Sequence, residues 1–285
     1  MSARVLDGAA IAQAFYSGLA PRIAALTAKG VQPGLATLLV GDNPASRVYV
    51  RNKLRRCESL GLRGEFHELP GSSSQSEVLA AVDRLNRDNR IHGIIVQLPL
   101  PRELDPREIT QAVSRTKDVD GFNWSNLGAV VEGRAELAPC TPAGVIRILD
   151  HAGIAIAGRR VVVIGRSSIV GKPLALMLIA RDATVTVCHS KTPDLGRVTR
   201  EADILVAAAG SPQLVTPQMV KPGAVVIDVG INRLPSGKVV GDVEFEAVKE
   251  IASLITPVPG GVGPMTIAML IGNTVLAAER SAAYA

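Results

Sequence analysis

The stretch VVVIGRSSIVGKP, Val161 to Pro173, with LALMLIA (Leu174–Ala180) after it, decides the fold. Four branched apolar residues, Val161–Ile164, predict a buried strand; a glycine-containing turn follows, and Lys172–Ala180 predicts a helix. Such a unit is an anion site, because the unpaired N–H groups of the first helical turn point toward what lies before them. Gly165, Ser167 and Gly171 follow a G-x-S-x-x-x-G spacing, not the G-x-G-x-x-G of the usual dinucleotide turn. On spacing alone an ordinary βα turn and a nucleotide-binding turn both stand. A phosphate-loop NTPase does not: one residue too many separates Gly165 from Gly171, and Pro173 stands where a magnesium-binding hydroxyl is required.

Just beyond, Thr184–Cys188 predicts a strand that runs into His189-Ser190-Lys191. An NAD site presents Asp or Glu there for the ribose 2′-hydroxyl, and neither is present. Arg166, Ser190 and Lys191 instead offer a cation and donors suited to a 2′-phosphate, so charge favours NADP over NAD. The competing reading is that Arg166 and Lys191 are merely exposed.

Further apolar runs recur at Leu35–Val40, Gly93–Leu98, Ile204–Ala208 and Val225–Val229, with helix-like Ala45–Leu60 and Ser76–Asn86 between some of them. Alternating β and α units imply parallel sheets with right-handed crossovers. Between Thr116 and Thr141 the rhythm breaks into a Gly-, Asn- and Pro-rich passage, read here as the junction of two domains. A helix through Val145, Ile148 and Leu149 then leads into the second domain. The irregular stretch Thr256–Thr266 precedes a last apolar helix that returns to the first. The expected architecture is α/β, two domains around a cleft. An N-terminal α/β domain with a parallel sheet comprises 1–136 plus 266–285, and a C-terminal Rossmann domain comprises 137–265.

Bulk composition agrees. The 285 residues suit one large or two ordinary domains, and with 47% hydrophobic but only 3% aromatic residues the core is built from Ala, Val, Leu and Ile. The three cysteines, Cys57, Cys140 and Cys188, and the four histidines are scattered, giving neither a disulfide framework nor a metal pattern. A net charge of +5 is spread along the chain and lacks stacking aromatics, which argues against nucleic acid. The N-terminus has no signal-peptide pattern, and Met265–Ala278 is read as too short to span a bilayer. The expectation is a cytoplasmic protein without membrane contact.

Candidate reactive groups lie in the first domain. Tyr49 and Lys53 stand four apart, on one helix face, a spacing that also describes an ordinary surface pair. Gln97 ends a predicted strand before Pro99-Leu100-Pro101, where ligands of parallel sheets collect. Asp118 and Asp120 of KDVDG serve either a ligand or their own turn.

Seven strings taken together resemble the bifunctional methylenetetrahydrofolate dehydrogenase/cyclohydrolase family: VGDNPASRVYVRNK (40–53), GIIVQLPLP (93–101), KDVDGFN (117–123), PCTP (139–142), GRSSIVGKP (165–173), GDVEF (241–245) and TPVPGGVGPMT (256–266). They occur in the family's order over almost the whole chain. The resemblance implies NADP-dependent oxidation of 5,10-methylenetetrahydrofolate, then hydrolysis to 10-formyltetrahydrofolate, with no metal. It places Tyr49 against the folate, Lys53 at the reactive centre with Gln97 as its partner, and Asp120 on the pterin. Pro259, Gly260 and Gly261 fall in its folate-binding string. Gly165, Arg166, Ser167 and Ser190 match its NADP contacts, and Ile231 a backbone contact to the cofactor. A homodimer through the Rossmann domain is implied as well. Two positions beside Asp120 depart from it: Asn123 where many members carry His, and Trp124 where they carry Pro.

Overall fold

The computed structural model describes residues 2–283. In chain order its elements are β1 (Arg4–Val5), α1 (Gly8–Ala28), β2 (Gly34–Val40), α2 (Pro44–Ser59), β3 (Arg63–Leu69), α3 (Gln75–Arg87), β4 (Gly93–Val96), α4 (Pro106–Ala112) and α5 (Trp124–Val131). There follow α6 (Cys140–His151), β5 (Arg160–Ile164), α7 (Gly171–Ile179), β6 (Thr184–Cys188), α8 (Leu195–Thr199), β7 (Ile204–Ala207) and β8 (Val225–Asp228). The chain ends with β9 (Asn232–Arg233), β10 (Val239–Val240), α9 (Phe245–Val248), β11 (Leu254–Ile255) and α10 (Val262–Ala283).

Two compact units result, one of Met1–Ala14 with Pro139–Met269, the other of Phe15–Ala138 with Leu270–Ala285. The first residues therefore leave the domain expected for them. β1 pairs in parallel with β11, Arg4 opposite Leu254 and Val5 opposite Ile255, and this places them in the nucleotide-type unit. The division falls at 14/15 inside α1, at 138/139 between α5 and α6, and at 269/270 inside α10, against the expected boundaries at 136/137 and 265/266.

The Phe15–Ala138 unit is organised by a parallel sheet in the order β3-β2-β4. All seven residues of β2 are buried, so the strand reads as a continuous apolar run. Ala36, Leu38 and Val40 pack with Val78, Val82 and Leu85 of α3, each Val or Leu side chain contributing about 1.5–3 kcal/mol on full burial. A capping box, Ser74 with Glu77, starts α3; Asp105, followed by Pro106, starts α4. β3, RGEFHEL, is an edge strand with no fully buried residue, which is why no apolar run announced it.

The other unit carries a six-stranded parallel sheet in the order β1-β11-β8-β7-β5-β6. From β5 the chain first adds β6 on one side and then crosses to β7 on the other, so the topological switch point lies between β5 and β7. Val162, Ile164, Leu205, Val226 and Ile255 form its core.

Two further expectations change. The 116–141 passage spans the division at Ala138/Pro139 but is not irregular throughout, because it contains α5. The final apolar segment is longer than read: α10 has 22 residues and is long and apolar enough, by length and composition, to cross a membrane. Its most apolar 18-residue window is 56% buried, and Asn273 donates to the carbonyls of Val119 and Ala138 at 2.9 and 3.0 Å. That is the setting of a core helix.

Candidate active site and dinucleotide turn

Lys53 sits on α2, which is anchored on both sides. Arg56 stacks 4.8 Å over the Tyr16 ring, and Arg47 pairs with Glu68 on β3. Lys53 Nζ donates to Gln97 Oε1 at 3.1 Å. Gln97 follows β4 and spends its own amide N–H on the Leu98 carbonyl at 2.7 Å, so its oxygen is held facing the lysine. Tyr49, one turn earlier, is 42% exposed, which leaves its ring open to a ligand. Cys57, one turn later, is fully buried, and burial pushes its thiol up to about 12; it is no nucleophile.

The two acids of KDVDG part company. Asp118 is buried and accepts from the Phe122 and Asn123 N–H groups at 3.1 and 2.7 Å and from Asn126 Nδ2 at 2.8 Å, so it builds the turn. Asp120 makes none of these bonds. Burial pushes its carboxyl up to about 6, the Lys53 charge pulling the other way and Asp118 adding to the rise. Its carboxyl is thus within electrostatic reach of the Lys53 ammonium. Asn123 is the N-cap of α5, accepting from Ser125 N–H at 2.9 Å and donating to the Val113 carbonyl at 3.0 Å. Its side chain is committed to this capping role. Trp124, at 70% exposed, presents its ring to solvent.

The cofactor candidates lie at the carboxyl ends of the parallel strands of the other unit: Gly165 after β5, Ser190 after β6 and Ile231 after β8. Gly165 has φ +124°, and a Cβ there would stand 2.1 Å from the Ala208 carbonyl oxygen, which follows β7. That close approach marks the switch point, where open α/β sheets bind ligands. At Gly171 a Cβ would stand 2.1 Å from the Gly165 oxygen. Ser167 Oγ accepts from the Val170 and Gly171 N–H groups at 3.1 and 3.3 Å, shaping the entry to α7. Arg166, Ser190 and Lys191 are all exposed there, with no carboxylate at the end of β6. A bare glycine cradle, a helix N-terminus and free cations fit a dinucleotide with a 2′-phosphate.

Pro259, Gly260 and Gly261 form the turn after β11. Gly260 accepts from Gly8 N–H at 2.9 Å, and Gly8 is required because a Cβ would meet the Gly261 oxygen at 1.7 Å. These three residues belong to the nucleotide-type unit, whereas Lys53, Gln97 and Asp120 belong to the other.

Sequence reading assigned no role to Asp228 and Asp242, two buried acids at the same strand ends. Burial pushes Asp228 up to about 6, while three backbone N–H groups (Gly230, Asp242 and Val243) stabilise its carboxylate at 2.9–3.0 Å. Gly241 before Asp242 was a usable signal, since a Cβ there would stand 1.8 Å from Asp228 Oδ2.

The sequence profile of the tetrahydrofolate dehydrogenase/cyclohydrolase catalytic domain matches residues 6–120, and that of the same family's NAD(P)-binding domain matches 139–282. The chain belongs to the tetrahydrofolate dehydrogenase/cyclohydrolase family. It is 56% identical over 283 residues to the bifunctional protein FolD of Paraburkholderia phytofirmans, covering 99% of each chain. To the bifunctional protein FolD of Bordetella bronchiseptica it is 54% identical over 283 residues, covering 99% of this chain and 100% of that one. Among solved structures, the bifunctional methylenetetrahydrofolate dehydrogenase/cyclohydrolase FolD of Campylobacter jejuni matches with TM-score 0.96 at 47% identity, over 98% of this chain and 99% of that one. The Trypanosoma brucei methylenetetrahydrofolate dehydrogenase-cyclohydrolase, complexed with NADP and an inhibitor, matches with TM-score 0.95 at 40% identity, over 99% of each chain.

Proposed function

We propose that this member of the family oxidises 5,10-methylenetetrahydrofolate to the 5,10-methenyl form with NADP and hydrolyses that product to 10-formyltetrahydrofolate, with Lys53 as the reactive group. The observation that carries the reading is the Lys53 Nζ to Gln97 Oε1 hydrogen bond of 3.1 Å, with the Asp120 carboxyl close enough to feel the lysine charge.

Bound NADP supplies the hydride acceptor for the bridging carbon of the folate. Gly165 and Gly171 let the pyrophosphate approach the backbone, Ser167 and Ser190 donate to it or to the ribose, and Arg166 pairs with the 2′-phosphate. Ile231 contacts the cofactor through its backbone.

Tyr49 lies against the folate, and Asp120 holds the pterin ring. In the second step water adds to the methenyl carbon and loses a proton. The adduct's hydroxyl then gives up its proton and forms the formyl C=O as one carbon–nitrogen bond breaks, and the freed nitrogen takes up a proton. These transfers need one positioned group, and Lys53, fixed by Gln97, is that group. The chain acts as a cytoplasmic homodimer joined through the nucleotide unit.

The deciding experiment is a two-step spectrophotometric assay with NADP and NAD compared. Formation of 10-formyltetrahydrofolate with preference for NADP is the expected result. Accumulation of the methenyl compound would reduce the protein to a dehydrogenase and remove the role given to Lys53.

A further inference from the structure

Asp242 lies outside every group assigned above, yet its surroundings connect two cofactor loops. It is fully buried, and its two carboxylate oxygens take four donors. Oδ2 accepts from the Ala209 and Gly210 N–H groups at 2.6 and 2.9 Å; Oδ1 accepts from the Ser211 N–H at 2.9 Å and from Asn232 Nδ2 at 2.8 Å. A carboxylate has about four such acceptor sites, so Asp242 is saturated.

The donors come from two different strand ends. Residues 209–211 follow β7 and continue from Ala208, whose carbonyl lies against Gly165 with no room for a Cβ. Asn232 opens β9 and directly follows Ile231, whose other neighbour, Gly230, is held by Asp228 at 2.9 Å. Gly230 is itself pressed on Asp242, since a Cβ there would stand 2.2 Å from Oδ1. One carboxylate thus ties the loop that walls the anion turn to the segment that carries Ile231. Only an ionised acid accepts from all four groups; an amide at this position would oppose its own N–H groups to N–H donors.

We propose that Asp242 is a positioning residue for the dinucleotide: by clamping 209–211 and 230–232 in one arrangement, it preorganises both edges of the NADP site without touching the cofactor. The inference rests on the NADP assignment at Gly165 and Ile231. A preorganised site binds its ligand without first ordering its loops, so loosening the clamp costs affinity before it costs chemistry.

The test is calorimetric titration of NADP onto the full-length protein and onto Asp242→Asn, together with steady-state kinetics and thermal denaturation. The expected result is a Kd for NADP raised about tenfold or more, a matching rise in KM, and kcat changed about twofold at most, for the loss of roughly one buried charge-assisted hydrogen-bond set. A folded Asp242→Asn protein with wild-type Kd and a lowered melting temperature would reduce Asp242 to a structural acid and overturn the inference. If Asp242→Asn does not fold, Asn232→Ala decides, since it removes one donor and leaves the carboxylate its three backbone partners. It should raise Kd about threefold, and an unchanged Kd would overturn the inference equally. Absence of NADP binding to the unsubstituted protein would be a different failure, that of the cofactor assignment itself.

Discussion

In the proposed site around Lys53 the groups are side chains from three separate elements, α2, the end of β4 and the 117–123 turn. Around Gly165 they are backbone atoms packed too closely to admit a Cβ, beside the N-terminus of α7. The first arrangement depends on ionisation, because its members are an ammonium, an amide and a carboxyl displaced to about 6. The second depends on volume, because contacts of 2.1 Å to a hypothetical Cβ at Gly165 and Gly171 admit no side chain at all. Proton transfer needs groups whose charge can change, whereas pyrophosphate recognition needs fixed dipoles at close range. The two sites should therefore fail in different ways.

The sharpest separation is expected from Lys53→Ala. Hydrolysis of the methenyl compound should fall about a thousandfold, oxidation should be strongly impaired, and the NADP Kd should stay at its original value. Loss of NADP binding in that variant would break the contrast. Gly165→Ala tests the other side. With φ at +124° and the Ala208 oxygen 2.1 Å from the new atom, NADP affinity should drop about a hundredfold while hydrolysis, which uses no dinucleotide, continues. Calorimetry beside the hydrolysis assay reads both, and wild-type affinity would show that the turn is not the binding site.

Arg166→Ala should have a smaller and more selective effect. KM for NADP should rise about tenfold with KM for NAD unchanged, because only the 2′-phosphate loses its partner. An equal rise for both would refute the phosphate assignment. The smallest effect is on stability. A carboxyl whose folded value is raised to about 6 from an ordinary 3.8 is bound to its proton in the folded state where the unfolded chain has released it. Stability therefore falls as pH rises through that window and stays lower above it. Asp120→Asn should stabilise the protein by about 1–2 kcal/mol at pH 7, with no gain below pH ~4, at the expense of folate turnover. Denaturant unfolding at pH 7 and pH 4 checks the sign, and a destabilised Asp120→Asn protein at pH 7 would show the carboxylate to be structural.

Much of the frame was legible in the residues. β2, β4, β5, β7 and β8 coincide with the apolar runs to within a residue or two, since central strands of a covered parallel sheet bury both faces, and the edge strand β6 was legible from its Val and Thr content instead. β3 escaped because an edge strand keeps its polar residues. The 21-residue helix α1, which contains Pro21, was not assigned from sequence, and α5 was hidden in a passage whose Gly and Asn content read as loop. The placement of the first fourteen residues with the nucleotide unit had no local signal, because it follows from a two-residue strand pairing some 250 positions away.

Lys53 illustrates the limit of a linear reading. Sequence determined its chemistry, its helix and the helical face it shares with Tyr49, and it placed Gln97 at a strand end; it likewise determined which glycines could line the anion turn. Tertiary structure alone brought Lys53 and Gln97, 44 positions apart, within 3.1 Å, committed Asp118 to the turn while leaving Asp120 within reach of the lysine charge, and saturated Asp242 with donors from two loops. The reason is physical. Periodicity and turn chemistry record how each short segment is buried, and these are local quantities. Ionisation and hydrogen-bond satisfaction are set by neighbours that only the folded chain supplies.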